Sequence, residues 1–197
     1  MLKVGITGGI GSGKSTVCHV FSELGIPIYN ADFEAKQLYF TDFDLKSELI
    51  ENFGKSIYLS DNELNKPVLR DIIAQEKTRN VLNSIIHPKV FKQFENWVKS
   101  QKSPYVLKEA AILFESGADK TVDIVIGVLA DELTRIRRVA HRDNLPIETI
   151  KKIIESQIPQ DELRKKCNYI IHNNGDESII DQVMKIHQDL LNQSAHF

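Results

Sequence analysis

Apolar residues fall into five short runs of strand character, at residues 2–7, 26–29, 105–109, 122–129 and 169–172. Longer segments separate them, with apolar positions recurring every three to four residues. Runs as continuously apolar as Ile124-Val125-Ile126 suit strands covered on both faces, which is the condition of a parallel sheet. Alternation of such strands with helices predicts an α/β fold of P-loop NTPase type: about five parallel strands between two helical layers. Between the second and third strands lies a mostly helical insert, residues 33–102, with turn signals at Asp61-Asn62, Asn65-Lys66-Pro67 and His87-Pro88. Within it Val81, Leu82, Ile85, Ile86, Val90, Phe91, Phe94 and Trp97 repeat at helical spacing and read as core packing. A second helical segment, 131–166, precedes the final strand. A last helix is expected over 176–192, and 192–197 reads as a frayed tail. Neither repeats nor a low-complexity linker divide the 197 residues, so a single domain spanning 1–197 is expected.

Composition narrows the function. Lys and Arg total 25 against 27 Asp and Glu, a balance that gives no support for a general nucleic-acid or anionic-membrane binder. The longest apolar stretch, near residues 124–130, is too short to span a bilayer, and the chain reaches Lys3 and then a glycine loop where a signal peptide would have its apolar core. A cytoplasmic protein without membrane or nucleic-acid partners is expected, a monomer or weak oligomer. Cys18 and Cys167 lack metal-ligand spacing and read as reduced core thiols.

The chemistry enters after the first strand, where Gly8-Gly9-Ile10-Gly11-Ser12-Gly13-Lys14-Ser15-Thr16 contains Gly-x-x-x-x-Gly-Lys-Ser. A triphosphate needs many N–H donors, and a backbone curls closely around it only where Cβ atoms are missing. Gly8, Gly11, Ser12 and Gly13 form that cradle. Lys14 reaches the β- and γ-phosphate oxygens, Ser15 offers its hydroxyl to Mg²⁺, and Thr16 adds a contact nearer the α-phosphate. ATP and Mg²⁺ are the expected cofactors.

Other candidates stand at strand ends and on one helix face. Asp32 follows the second strand, on the edge where open α/β sheets bind ligands. It could position and deprotonate an attacking hydroxyl, hold a metal-bound water, or simply cap the next helix. Glu109 ends the third strand and suits either the metal's water shell or the acceptor; an ordinary ion pair is the alternative. Glu115, further on, is as compatible with a solvated helix end. Arg135, Arg138 and Arg142 lie at i, i+3 and i+7, so they share a face that could clamp phosphates in a lid or stand solvated. Arg70 and His87 carry no assignment from spacing alone.

Taken in order, the glycine loop, Ala31-Asp32, Leu69-Arg70, Ile86-His87-Pro88, Leu113-Phe114-Glu115, Arg138 through Arg142-Asp143, Gln157 and Ile171-His172-Asn173-Asn174-Gly175 resemble the dephospho-coenzyme A kinase family over nearly the whole chain. The resemblance implies a P-loop kinase with an acceptor-binding insert and a lid. It further implies transfer of the ATP γ-phosphate to the ribose 3′-hydroxyl of dephospho-CoA. Asp32 would be the base, Arg70 and His87 would bind the acceptor, Arg138 and Arg142 would belong to the lid, and Asn174 would lie near the adenine. The chain departs from the family pattern at Asn30, Ala111, Arg135 and Cys167-Asn168, where an acidic residue, proline, glutamine and Ala-Asp are common. Another small-molecule or nucleoside monophosphate kinase is the nearest alternative. A regulatory GTPase is disfavoured because Asn65-Lys66 lacks the following Asp of a guanine-reading motif, and Asp-x-x-Gly is absent.

Overall fold

The computed structural model describes residues 1–61 and 63–195. Asn62 of the Asp61-Asn62 turn signal and the last two residues of the expected tail lie outside them. In chain order the elements are β1 (Leu2–Thr7), α1 (Lys14–Glu23), β2 (Ile28–Asn30), α2 (Ala31–Thr41), α3 (Phe43–Phe53), β3 (Tyr58–Ser60), β4 (Glu63–Leu64), α4 (Lys66–Ala74), α5 (Glu76–Lys99), β5 (Tyr105–Glu109), β6 (Ile124–Leu129), α6 (Glu132–Asp143), α7 (Ile147–Glu155), α8 (Gln160–Lys166), β7 (Tyr169–His172) and α9 (Ile179–Ser194). They form two compact units, one of Met1–Asn30 with the chain from Ser100 onward, the other Ala31–Lys99.

The first unit holds a five-stranded parallel sheet in the order β2-β5-β1-β6-β7. Leu2, Val4 and Ile6 alternate onto one face of β1 and are fully buried against Val17 and Phe21 of α1 and Val183 and Leu190 of α9. On the other face a side chain at Gly127 would press on Cys167, just beyond α8. The expected sheet with flanking helices is therefore present. β2 starts at Ile28 because Pro27 has no N–H to give a ladder; its carbonyl accepts from Leu107 N–H at 2.9 Å. The tail reading is corrected over 192–194, which continue α9: buried Leu190 anchors the last turns.

The second unit packs α2, α3 and α4 against α5. The His87-Pro88 break does not occur. α5 runs unbroken from Glu76 to Lys99 with Pro88 inside it. A mid-helix proline costs roughly 3 kcal/mol, but Leu82, Ile86, Val90, Phe94 and Val98 form a buried stripe at four-residue spacing. Each contributes roughly 1.5–3 kcal/mol on burial, and the stripe outweighs the lost hydrogen bond. The antiparallel β3–β4 pair was not expected, since strands of three and two residues are too short to show alternation.

Candidate functional site

Everything at the glycine loop follows from where β1 stops and α1 begins. Gly13 caps α1 in the left-handed region, φ 91 and ψ 27, a conformation that disfavours any side chain. A Cβ there would also collide with the Asn173 amide, and one at Gly9 with the Arg135 guanidinium. The protein packed around the loop thus demands glycine as firmly as a close-lying anion would. The first turn of α1, whose Thr16 and Val17 N–H groups donate to the Gly13 carbonyl at 3.1 and 3.2 Å, and the positive end of its dipole meet the same loop. Lys14 Nζ donates to the Gly8 carbonyl at 2.6 Å, and the buried Ser12 hydroxyl has no hydrogen-bond partner among the described residues. Such an orphaned donor inside the loop fits a phosphate oxygen.

Glu109 ends β5 at the sheet's C-terminal edge, almost fully buried. Its Oε1 accepts from Ser15 Oγ at 3.1 Å and its Oε2 from Asn30 Nδ2 at 2.9 Å. Both partners are neutral hydrogen-bond donors, and they hold the carboxylate beside the loop. A hydroxyl and a carboxylate are hard oxygen donors, the set that Mg²⁺ takes when phosphates and water complete its shell. Cys18 lies under the same pair; burial first, and the Glu109 charge next, push its thiol far above the ordinary range, and burial raises Cys167 to about 11. Neither is a reactive thiolate at neutral pH.

The arginines of α6 differ in burial and in partner. Arg135 is buried and donates through Nε to the Ile10 carbonyl at 2.9 Å and through Nη2 to Gln157 Oε1 at 3.2 Å. Arg138 reaches the Gly11 and Ser12 carbonyls at 3.3 and 3.4 Å, and Asn173 Oδ1 at 3.1 Å. Arg142 makes a bidentate pair with Asp143, 2.8 Å at each arm, on an exposed flank. Asn174 Oδ1 accepts from Asp131 N–H at 2.8 Å beside a polar cavity of about 200 Å³, lined also by Ala130, Gln160 and Arg164 at the ends of β6 and β7.

In the Ala31–Lys99 unit, Asp32 is the second residue of α2 and exposed. It lies inside the helix's first turn, so it is not the residue that caps it. Arg70 is exposed on α4; His87 is half-buried on α5, stacked on Phe91 at 6.1 Å between ring centroids. Glu115 accepts from Ile158 N–H at 3.3 Å within a run of turns, with no helix to end.

A profile of the family described as Dephospho-CoA kinase matches residues 2–178. The chain belongs to the dephospho-CoA kinase family. A dephospho-CoA kinase of Salinibacter ruber is 37% identical over 179 residues, covering 89% of this chain and 90% of that protein. One from Chlorobaculum tepidum is 38% identical over 199 residues, covering 96% and 95%. The structure of TT1252 from Thermus thermophilus superposes with a TM-score of 0.82 at 26% identity, covering 98% of this chain and 97% of that one.

Two residues at this dephospho-CoA kinase loop escaped assignment from sequence. Asn173 is buried, donates from Nδ2 to the Ser12 carbonyl at 2.8 Å and through its N–H to the Leu129 carbonyl at 2.8 Å. Gln157 Oε1 accepts from Ile10 N–H at 2.8 Å. An Asn-Asn-Gly turn directly after a strand was the available signal for the first; nothing local marks the second, which meets Ile10 from 147 residues away. The departures from the family pattern also find local partners. Asn30 steadies Glu109, and Asn168 closes onto Val125, accepting its N–H at 2.8 Å and donating to its carbonyl at 2.9 Å.

Proposed function

We propose that the chain transfers the ATP γ-phosphate to the ribose 3′-hydroxyl of dephospho-CoA, giving coenzyme A and ADP. The observation that carries this reading is the buried Glu109 carboxylate held 3.1 Å from Ser15 Oγ at a loop whose Gly13 and Lys14 open a helix. Donor phosphates lie in the Gly8–Gly13 turn against Ser12, Lys14, Ser15 and Thr16, and Asn174 bounds the adenine end. Ser15 and Glu109 would hold Mg²⁺ or its water; the ion supplies neutralisation of charge on the β- and γ-phosphates. Asp32 takes the proton of the 3′-hydroxyl as its oxygen attacks the γ-phosphorus and the bond to ADP breaks. Lys14, Arg138 and Arg142 offset charge on the transferring group. Arg70 and His87 bind the acceptor, in an insert about 33–102, and 131–166 forms the lid.

Among the described residues no helix is long and apolar enough to cross a membrane. A cytoplasmic site of action, as a monomer or weak oligomer needing neither nucleic acid nor membrane, completes the reading. Incubation of the purified protein with ATP, Mg²⁺ and a panel of hydroxyl acceptors tests it. Stoichiometric conversion of dephospho-CoA with ADP release is expected. A protein that binds ATP, leaves dephospho-CoA unmodified and phosphorylates another acceptor would be a different small-molecule kinase.

A further inference from the structure

Arg135 carries a positive charge into a place where no described residue supplies a carboxylate to pair with it. Only 4% of the residue is exposed. Its two hydrogen-bond acceptors, the Ile10 carbonyl and Gln157 Oε1, are neutral. The acidic side chain that acts on it most, Glu132, stands exposed one turn back on α6, and among the described residues no carboxylate lies within ion-pair distance. Buried charges are ordinarily paired, because desolvation without a partner is costly. A guanidinium cannot escape by losing its proton. This one is pressed against Gly9, where an added Cβ would collide with it, and against Ile10, both in the loop read above as the donor site.

We propose that Arg135 is the built-in counter-charge of the donor-nucleotide site: a fixed cation whose partner is the phosphate chain of the nucleotide bound in the loop. The inference rests on the donor-site reading of that loop. Two of five N–H groups fix the cation to the loop and to Gln157, so its position is set before a nucleotide arrives. Attraction of this kind acts equally on bound substrate and transition state, and therefore strengthens ATP binding without raising the rate of transfer. It differs from Lys14, whose flexible stem follows the reacting phosphates.

Gln157→Glu tests this without removing the arginine. The new carboxylate can accept the same Ile10 N–H and pair with Arg135, so the melting temperature is expected to hold or rise. ATP and ADP should bind about tenfold more weakly, while adenosine affinity by competition and kcat at saturating ATP move less than about twofold. Arg135→Gln, the second variant should the first fail to fold, is expected to give the same selective loss and a shallower salt dependence of ATP binding. Unchanged ATP affinity in a folded variant, or equal weakening of ATP and adenosine, overturns the proposal. Wild-type protein that binds no ATP overturns the donor-site reading with it, whereas wild-type binding with an unaffected variant overturns the counter-charge alone.

Discussion

Around the glycine loop the large buried groups are polar: Glu109, Arg135 and Asn173 are all more than nine-tenths buried and are tied into the loop or the strand ends by hydrogen bonds. In the Ala31–Lys99 unit large apolar side chains are among those that face solvent, with Phe43 80% and Leu59 62% exposed, and Tyr39, Phe40 and Leu64 line a groove of about 580 Å³ edged by Lys36 and Lys66. A small, highly charged phosphate chain needs fixed donors assembled in advance, because reorganising dipoles during reaction is costly. A large acceptor with apolar and anionic parts needs area and a few cations. Under the proposed function the first demand falls to the loop and the second to the Ala31–Lys99 unit, and each can be disturbed separately.

The strongest break is expected at Asp32. It is exposed, so Asp32→Asn should leave stability within about 1 kcal/mol and ATP affinity unaltered. The same change should lower kcat by roughly 10²–10⁴-fold, the range of general-base help. Steady-state kinetics beside an ATP titration checks this. Retained kcat would reduce Asp32 to a favourable charge in the first turn of α2.

Glycine replacements sharpen the contrast between the units. Gly13→Ala and Gly54→Ala both force an alanine into positive φ, 91 and 84, at roughly 1–3 kcal/mol each. Only at Gly13 does the new methyl also strike a neighbour, the Asn173 amide; at Gly54 the nearest atom is Ser56 Oγ at 3.9 Å. Thermal denaturation should show the larger loss for Gly13→Ala, and calorimetry should show weakened ATP binding for that variant alone.

These comparisons also mark how far the sequence could be read. The parallel sheet, the loop and the strand-end positions of Asp32 and Glu109 were legible, because each rests on local pattern: continuous apolar runs, glycine spacing, a carboxylate after a strand. Pro88 misled because a proline is a local signal and the stripe that overrides it spans the whole of α5. The α6 arginines misled in another way. Helical spacing places three side chains on one face, but burial and partner decide their chemistry, and Ile10, Asn173 and Asp143 lie at unrelated distances along the chain. Gln157 and Asn173 belong to the family pattern, but the contacts that tie them to the loop are made by the fold and could not be read from their places in the chain.

Arg138 and Arg142 turn that lesson into a measurement. Arg138→Ala removes a cation held at the Gly11 and Ser12 carbonyls and should lower kcat by about 10- to 100-fold, more than it raises the acceptor KM. Arg142→Ala breaks an exposed pair, worth roughly 0–1 kcal/mol, so its stability change should be near the detection limit and its kcat loss smaller than that of Arg138→Ala. An equal loss at both positions would restore the single phosphate-clamping stripe expected from spacing.

The smallest effect separates the fold's chemistry from the site's. Tyr105 at the start of β5 shares a 2.7 Å hydrogen bond with His187 Nδ1 of α9, and burial holds the imidazole below its ordinary value of 6.5. The unfolded chain therefore takes up a proton at this residue at higher pH than the folded one does. Stability from the neutral imidazole is complete above 6.5 and declines as pH falls from there toward the lower folded value. The melting temperature should drop slightly over that interval, and His187→Gln should flatten the decline while leaving the pH profile of kcat unchanged. A kcat profile that moved with His187→Gln would couple this Tyr105–His187 contact to the loop, and the distinction between a polar site and the core that supports it would fail there.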